Sequence, residues 1–251
     1  MAVADVGAAL RGGVAFLTRL PVGTDEGAWR RFRTFPAAFP LVGYLVGAVA
    51  AVPFVLPLSA HATAAAYLFV LVGLVGVTHL DGVADLGDAA VVHDVDDRRE
   101  ALKDTTTGVG ATVAVALVVA ALALAALSLA DLWPVGAVVI VVAGEVGAKL
   151  GMATVACVGS AGHDGLGSQF TSTADPALLA GPLVAALPAA LLTGLSPAAP
   201  VAVLCGPLVA LVVVRWADGA LGGVNGDVFG AANELAWVVA LHAWVVAWTR
   251  F

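Results

Sequence analysis

The chain has 251 residues, of which 61% are hydrophobic and only 12% charged, with a formal net charge of −7. Soluble domains are about a quarter charged, so this composition excludes a water-soluble globule and points to a surface covered largely by lipid. The acidic balance argues against a nucleic-acid binder, and the length fits one integral membrane domain, residues 1–251, with no separate soluble one.

Taken in chain order, residues 1–20 carry Asp5, Arg11 and Arg19 in a modestly apolar stretch. They lack the charged-then-apolar pattern of a cleaved signal peptide and read as a short helix, interfacial or packed among the others. A helix needs roughly 20 apolar residues to cross the hydrocarbon. About seven stretches meet or approach that length: 35–56, 62–80, 109–129, 133–155, 177–195, 199–217 and 235–248, the last with a start admitted near Gly230. The expected fold is an all-α, polytopic transmembrane helical bundle with its active-site loops in the cytoplasm. Pro53, Pro182, Pro188 and Pro207 fall inside spans, which membrane helices tolerate. Cys157 and Cys205 show neither metal nor redox spacing and read as buried small hydrophobes.

The loops 81–108, 156–176 and 218–234 are long and polar, whereas 57–61, 130–132 and 196–197 are short. Of the eleven Lys and Arg residues, Arg11, Arg19, Arg30, Arg31, Arg33, Arg98, Arg99, Lys103 and Arg215 lie on or beside the long-loop face. Lys149 sits in the nearer half of its span, and only Arg250 falls opposite. The positive-inside rule then puts the long loops in the cytoplasm of a multi-pass cell-membrane protein.

Chemistry concentrates in those loops. In His79-Leu80-Asp81-Gly82-Val83-Ala84-Asp85-Leu86-Gly87-Asp88, the acids are spaced i, i+4, i+7, which aligns them on one helix face. Three like charges repel, and a hard cation relieves them; oxygen ligands that leave room for phosphate suit Mg²⁺. A solvated acidic loop is the plainer alternative. Downstream, Lys103-Asp104-Thr105-Thr106-Thr107-Gly108 precedes the third span. Lys103 can meet a phosphate as a point charge, and free N–H groups at a helix start favour an anion. The Gly-rich stretch 160–170 includes His163, Asp164 and Gln169 and can shape itself around a substrate or serve as an ordinary interhelical loop. In 221–234, Asn225, Asp227, Asn233 and Glu234 bring polar groups to the membrane edge, where they are by default functional hypotheses. Capping of the last span by Asn233 is the competing explanation. Glu145 and Lys149, i and i+4 within the fourth span, suit an intramembrane ion pair, or Lys149 reaches toward substrate phosphate.

These motifs resemble the cobalamin synthase family, also called adenosylcobinamide-GDP ribazoletransferases. The matching strings are Phe16-Leu17-Thr18-Arg19-Leu20-Pro21, Phe39-Pro40-Leu41-Val42-Gly43, His79 through Asp85, Lys103-Asp104 with Gly108-Val109-Gly110, and Gly222 through Asp227 with Gly230-Ala231-Ala232-Asn233-Glu234. They run in family order across nearly the whole chain. Two departures stand out. Gly162-His163-Asp164 occupies the place where the family often carries an arginine and two acids, and Thr105-Thr106 replaces a usual Ser-Arg. The resemblance implies attack of α-ribazole, or its 5′-phosphate, on adenosylcobinamide-GDP with release of GMP, and Mg²⁺ as the cofactor. It implies Asp81, Asp85 and Asp227 as catalytic residues and Asp81, Asp85, Asp88 and Asp227 as metal ligands. His79, Asp88, Lys103, Asp104, Lys149, Gln169, Asn225, Asn233 and Glu234 are the implied substrate contacts. The expected partners are these small-molecule substrates and the bilayer, with a homo-oligomer left open.

Two other classes compete. A CDP-alcohol type membrane phosphotransferase is disfavoured because no arginine follows Ala84. A cation- or proton-coupled transporter should place its ionisable groups near the midplane, and here only Glu145 and Lys149 sit there.

Overall fold

Backbone surrounded by lipid must satisfy its own polar groups, and a helix does so within one segment. The computed structural model describes residues 3–94, 98, 102, 106–173 and 175–250, with side chains through Ala247. Its helices are α1 (Val3–Leu17), α2 (Glu26–Arg33), α3 (Ala38–Ala50), α4 (Ala60–Val75), α5 (Thr78–Val91), α6 (Val109–Ala130), α7 (Pro134–Val158), α8 (Leu166–Thr171), α9 (Ala180–Ala190), α10 (Ala198–Ala220) and α11 (Gly226–Arg250). Among the described residues the only strand-like pairing is a parallel bridge between Ala161 and Val224.

The chain is an all-α, multi-pass membrane protein. Helices α6, α7, α10 and α11 are each long and apolar enough to cross alone. Counting the bent pairs α2/α3 (105°) and α4/α5 (94°) as one span each raises the number to six. The shorter apolar stretch Pro176–Ala190 is the remaining segment expected from sequence.

Several expected boundaries move, for local reasons. Helix α3 stops at Ala50 and gives way to a 3-10 turn, Val52–Val55, at Pro53, which has no N–H to continue the ladder. Helix α4 stops at Val75 because Gly76 adopts φ 83, a left-handed value that a side chain disfavours. The chain then turns, and α5 runs at 94° to α4. Helix α9 ends at Ala190, just after Pro188. Helix α11 begins at Gly226, well before the expected start of the last span.

Helix α7 is the centre of the bundle, with every residue from Ala143 to Cys157 buried. A helix that is apolar all round belongs inside. Close approach is possible because the contact positions are small: a Cβ at Gly43 of α3 would lie 2.9 Å from the Val146 Cα, and one at Gly151 would lie 2.8 Å from the Gly206 carbonyl oxygen of α10. Packing of small residues stands in for the missing hydrophobic drive between helices in lipid.

The N-terminal segment packs rather than floats. Helix α1 buries Ala9, Gly12, Gly13 and Leu17. Phe16 joins Trp29, Phe32 and Phe170 at ring separations of 5.2, 5.7 and 5.6 Å. Helix α2 is capped by Asp25, whose side chain accepts from the Ala28 N–H and pairs with Arg11.

Candidate active site

Helix α5 carries the acidic motif. Its inner face buries His79, Gly82, Val83, Leu86 and Ala89, while Asp81, Asp85 and Asp88 lie along another face. The turn that aims it is held from α1: the Arg19 N–H donates to the Leu74 carbonyl at 2.7 Å, and the Arg19 side chain lies over Gly76.

Helix α11 meets α5 at its first turn. A Cβ on Gly82 would lie 2.6 Å from the Asp227 carbonyl oxygen, so only glycine admits this crossing. Asn225 caps α11. Its Oδ1 accepts from the Val228 N–H at 3.0 Å, and its Nδ2 donates to Asp227 Oδ2 at 2.8 Å. The capping asparagine is therefore Asn225 and not Asn233, and one side chain both starts the helix and orients Asp227.

The loop leading into α11 is tied to the loop after α7. The Val224 N–H donates to the Ser160 carbonyl at 2.8 Å, within the parallel bridge. Between these loops opens a cleft of about 510 Å³, lined by Leu102, Gly162, His163, Leu221, Gly223, Asn225 and Asp227. His163 was not among the expected site residues. Its signal was present, a histidine between glycines in a polar loop, but an ordinary loop histidine looks the same. A second cavity of about 310 Å³, lined by Trp133, Trp244 and apolar neighbours, holds no ionisable side chain and is not a candidate.

The acids sense one another. Burial first, and then the charges of Asp227, Asp81 and Asp88, push the Asp85 carboxyl up from 3.8 to about 6. Among the described residues no Lys or Arg pairs with Asp81, Asp85 or Asp227. A folded-state value above that of the unfolded chain means that protonation favours the folded form. The stability gain from Asp85 therefore appears as pH falls through about 6 toward about 4 and is absent at neutral pH. In chelator, the thermal midpoint is expected to rise on acidification from about pH 7 to about pH 5, and Asp85→Asn should remove that part of the pH dependence. An unchanged profile in the variant would show that the acids do not interact.

Asp88 has different partners. Its Oδ2 accepts from the Gly108 N–H and its Oδ1 from the Ala111 N–H, both at 2.8 Å. The helix-start donors expected to attract a substrate anion are thus met by a carboxylate from α5, standing in for the side chain Gly108 lacks. Asp88→Ala is expected to lower stability by about 1 kcal/mol, in the range of lost caps, readable as a lower thermal midpoint. No change would show the cap to be energetically idle.

His79, Lys149, Asn233 and Glu234 come together beneath the site in a buried network. Lys149 Nζ donates to Glu145 Oε2 at 2.7 Å and to Asn233 Oδ1 at 2.9 Å. Asn233 Nδ2 donates to Glu234 Oε1 at 3.1 Å and lies 3.2 Å from His79 Nδ1. Lys149 is fully buried. A cavity of about 60 Å³ adjoins the network on the α4 side, room for only a water or two. Gln169 is engaged elsewhere: its Oε1 accepts from Trp29 Nε1 and Arg33 Nη1, each at 3.2 Å, latching α8 to α2. Lys103 and Asp104 lie outside the described residues.

Among the described residues no three His, Cys, Asp or Glu side chains are gathered as a ready-made metal cage. The donor chemistry fits Mg²⁺: carboxylates from two helices, Asp81 and Asp85 of α5 and Asp227 of α11, lie close enough to repel one another, and Asp227 lines the cleft.

Comparison with known proteins agrees with this reading of the motifs. The sequence model of the family described as Cobalamin-5-phosphate synthase matches residues 9–245. A Halorubrum lacusprofundi protein named adenosylcobinamide-GDP ribazoletransferase is 50% identical, covering 97% of this chain and 98% of its own. Proteins of the same name from Haloquadratum walsbyi (46% identical, 96% and 98% covered) and Halobacterium salinarum (56% identical, 75% and 96% covered) are also similar. No solved structure matches the chain. A helical bundle that brings its acidic α5 motif against the Gly-Asp start of α11, matched over nearly its full length, makes this chain a member of the cobalamin-5-phosphate synthase family.

Proposed function

We infer that this protein is an adenosylcobinamide-GDP ribazoletransferase, joining α-ribazole or its 5′-phosphate to adenosylcobinamide-GDP with release of GMP. The observation that carries the reading is the crossing at Gly82, which sets the α5 acids beside Asp227 at the border of a polar cleft. Phosphoryl transfer asks a protein mainly for positioning and for neutralisation of charge. Asp81 and Asp227, supported by Asp85, are the residues that would hold Mg²⁺, which when bound supplies positive charge to the diphosphate oxygens. Asn225 fixes the Asp227 carboxylate, and the glycines of both loops let the two backbones meet beside it. Glu234, bonded to Asn233 and facing His79, belongs to the buried network and is a poorer candidate for contact with substrate than Asp227.

The reaction side is the cytoplasm of the cell membrane, an orientation supported by the basic residues that crowd the long-loop face. The substrates are polar and suit that side. The test is direct. Purified protein in detergent, given adenosylcobinamide-GDP, α-ribazole and Mg²⁺, should release GMP and form a cobalamin. No GMP under conditions where a known homologue works would overturn the assignment. Omission of Mg²⁺ with no loss of rate would overturn the metal.

A further inference from the structure

We propose that His163 is the general base of this transferase, a role that rests on the transferase reading above. Among the described residues two titratable side chains line the cleft, His163 and Asp227. Asp227 is committed: its Oδ2 accepts from Asn225, and its charge belongs to the acidic group shared with α5. His163 stands exposed on the facing loop.

The ring is held in a usable form. Its Nδ1 lies 3.0 Å from the Asp164 carbonyl oxygen. A carbonyl can only accept, so Nδ1 carries the proton and Nε2 presents a lone pair. Nε2 has no hydrogen-bond partner among the described residues. The loop bearing it is fixed by the Ser160–Val224 hydrogen bond, and a Cβ at Gly162 would lie 2.8 Å from the Gly222 carbonyl oxygen, so the two loops touch through backbone. The Asp164 carbonyl orients the imidazole, and among the described residues Nε2 is left for an acidic proton, as base catalysis requires.

The chemistry needs a base and no acid. The attacking group is an alcohol, which must lose its proton as its oxygen bonds to the cobinamide-linked phosphorus. The departing group is the phosphate of GMP, which leaves with the electron pair as a stable anion. In the step proposed, the new O–P bond forms, the P–O bond to GMP breaks, and the hydroxyl proton passes to His163 Nε2. The imidazolium that results returns its proton to water.

The experiment uses the full chain in detergent with both substrates and Mg²⁺, following GMP. Parent, His163→Ala and His163→Gln are compared, each first shown to be monodisperse and folded. The expected result is a kcat lower by about 10²–10⁴-fold in both variants, with KM within about threefold. Added imidazole should raise the His163→Ala rate by about tenfold or more and leave the parent unchanged. A kcat within about threefold of the parent, a raised KM with unaltered kcat, or failure of imidazole to restore His163→Ala overturns the proposal. If the parent itself releases no GMP, it is the transferase reading that falls.

Discussion

Asp81→Asn and Asp227→Asn are each expected to abolish GMP release while leaving the protein folded and inserted. Charge stabilisation of this kind is worth several kcal/mol, so the loss should reach about 10³-fold in turnover. Asparagine keeps the size of the side chain and removes the charge. Asp81 is exposed on α5, and Asp227 can keep one oxygen toward Asn225, so neither exchange disturbs packing. The informative comparison is the double variant. Residues acting as one unit are strongly non-additive, so Asp81→Asn with Asp227→Asn should be little worse than either alone. Full turnover in either single variant would remove that residue from the site, and additive losses would place the two acids in separate roles.

Lys149→Ala is expected to harm the fold more than the chemistry. Lys149 is fully buried and bonds both Glu145 and Asn233. Removing one partner of a buried pair leaves the other charge stranded, at about 3–5 kcal/mol. The expected readout is a much lower thermal midpoint in detergent and less monodisperse protein. Replacing both partners, Glu145→Leu with Lys149→Met, should recover most of that loss, since a well-packed apolar pair can match a buried ion pair. If Lys149 instead served substrate phosphate, the double variant would be stable but inactive. A double variant that regains stability and retains turnover is the outcome the buried network leads us to expect.

The bilayer spans were legible because twenty apolar residues have few alternatives in lipid. The α5 acids were legible because i, i+4, i+7 spacing is geometric, and Asp227 because a carboxylate at the membrane edge is costly without a task. What sequence could not supply were relations between distant elements. Asp88 has the same spacing as its neighbours, yet its oxygens cap α6, a contact fixed only when α5 packs on α6. On paper Asn233 is the cap, because the apolar run of the last span begins near 235. The start of α11 at Gly226 gives the cap to Asn225 instead. Lys149 was legible as either an ion-pair member or a phosphate contact, and burial inside α7 gives it Glu145 and Asn233 as partners. His163 was passed over because nothing in its own loop shows that residues 222–225 lie against it.

The crossing at Gly82 also constrains how the protein comes into being. Helix α5 is made well before α11, so the helices between them must be synthesised and inserted before the two can touch. Until then the acidic helix stands without its counterpart, and the Gly82 contact that aligns the two carboxylate-bearing segments does not exist.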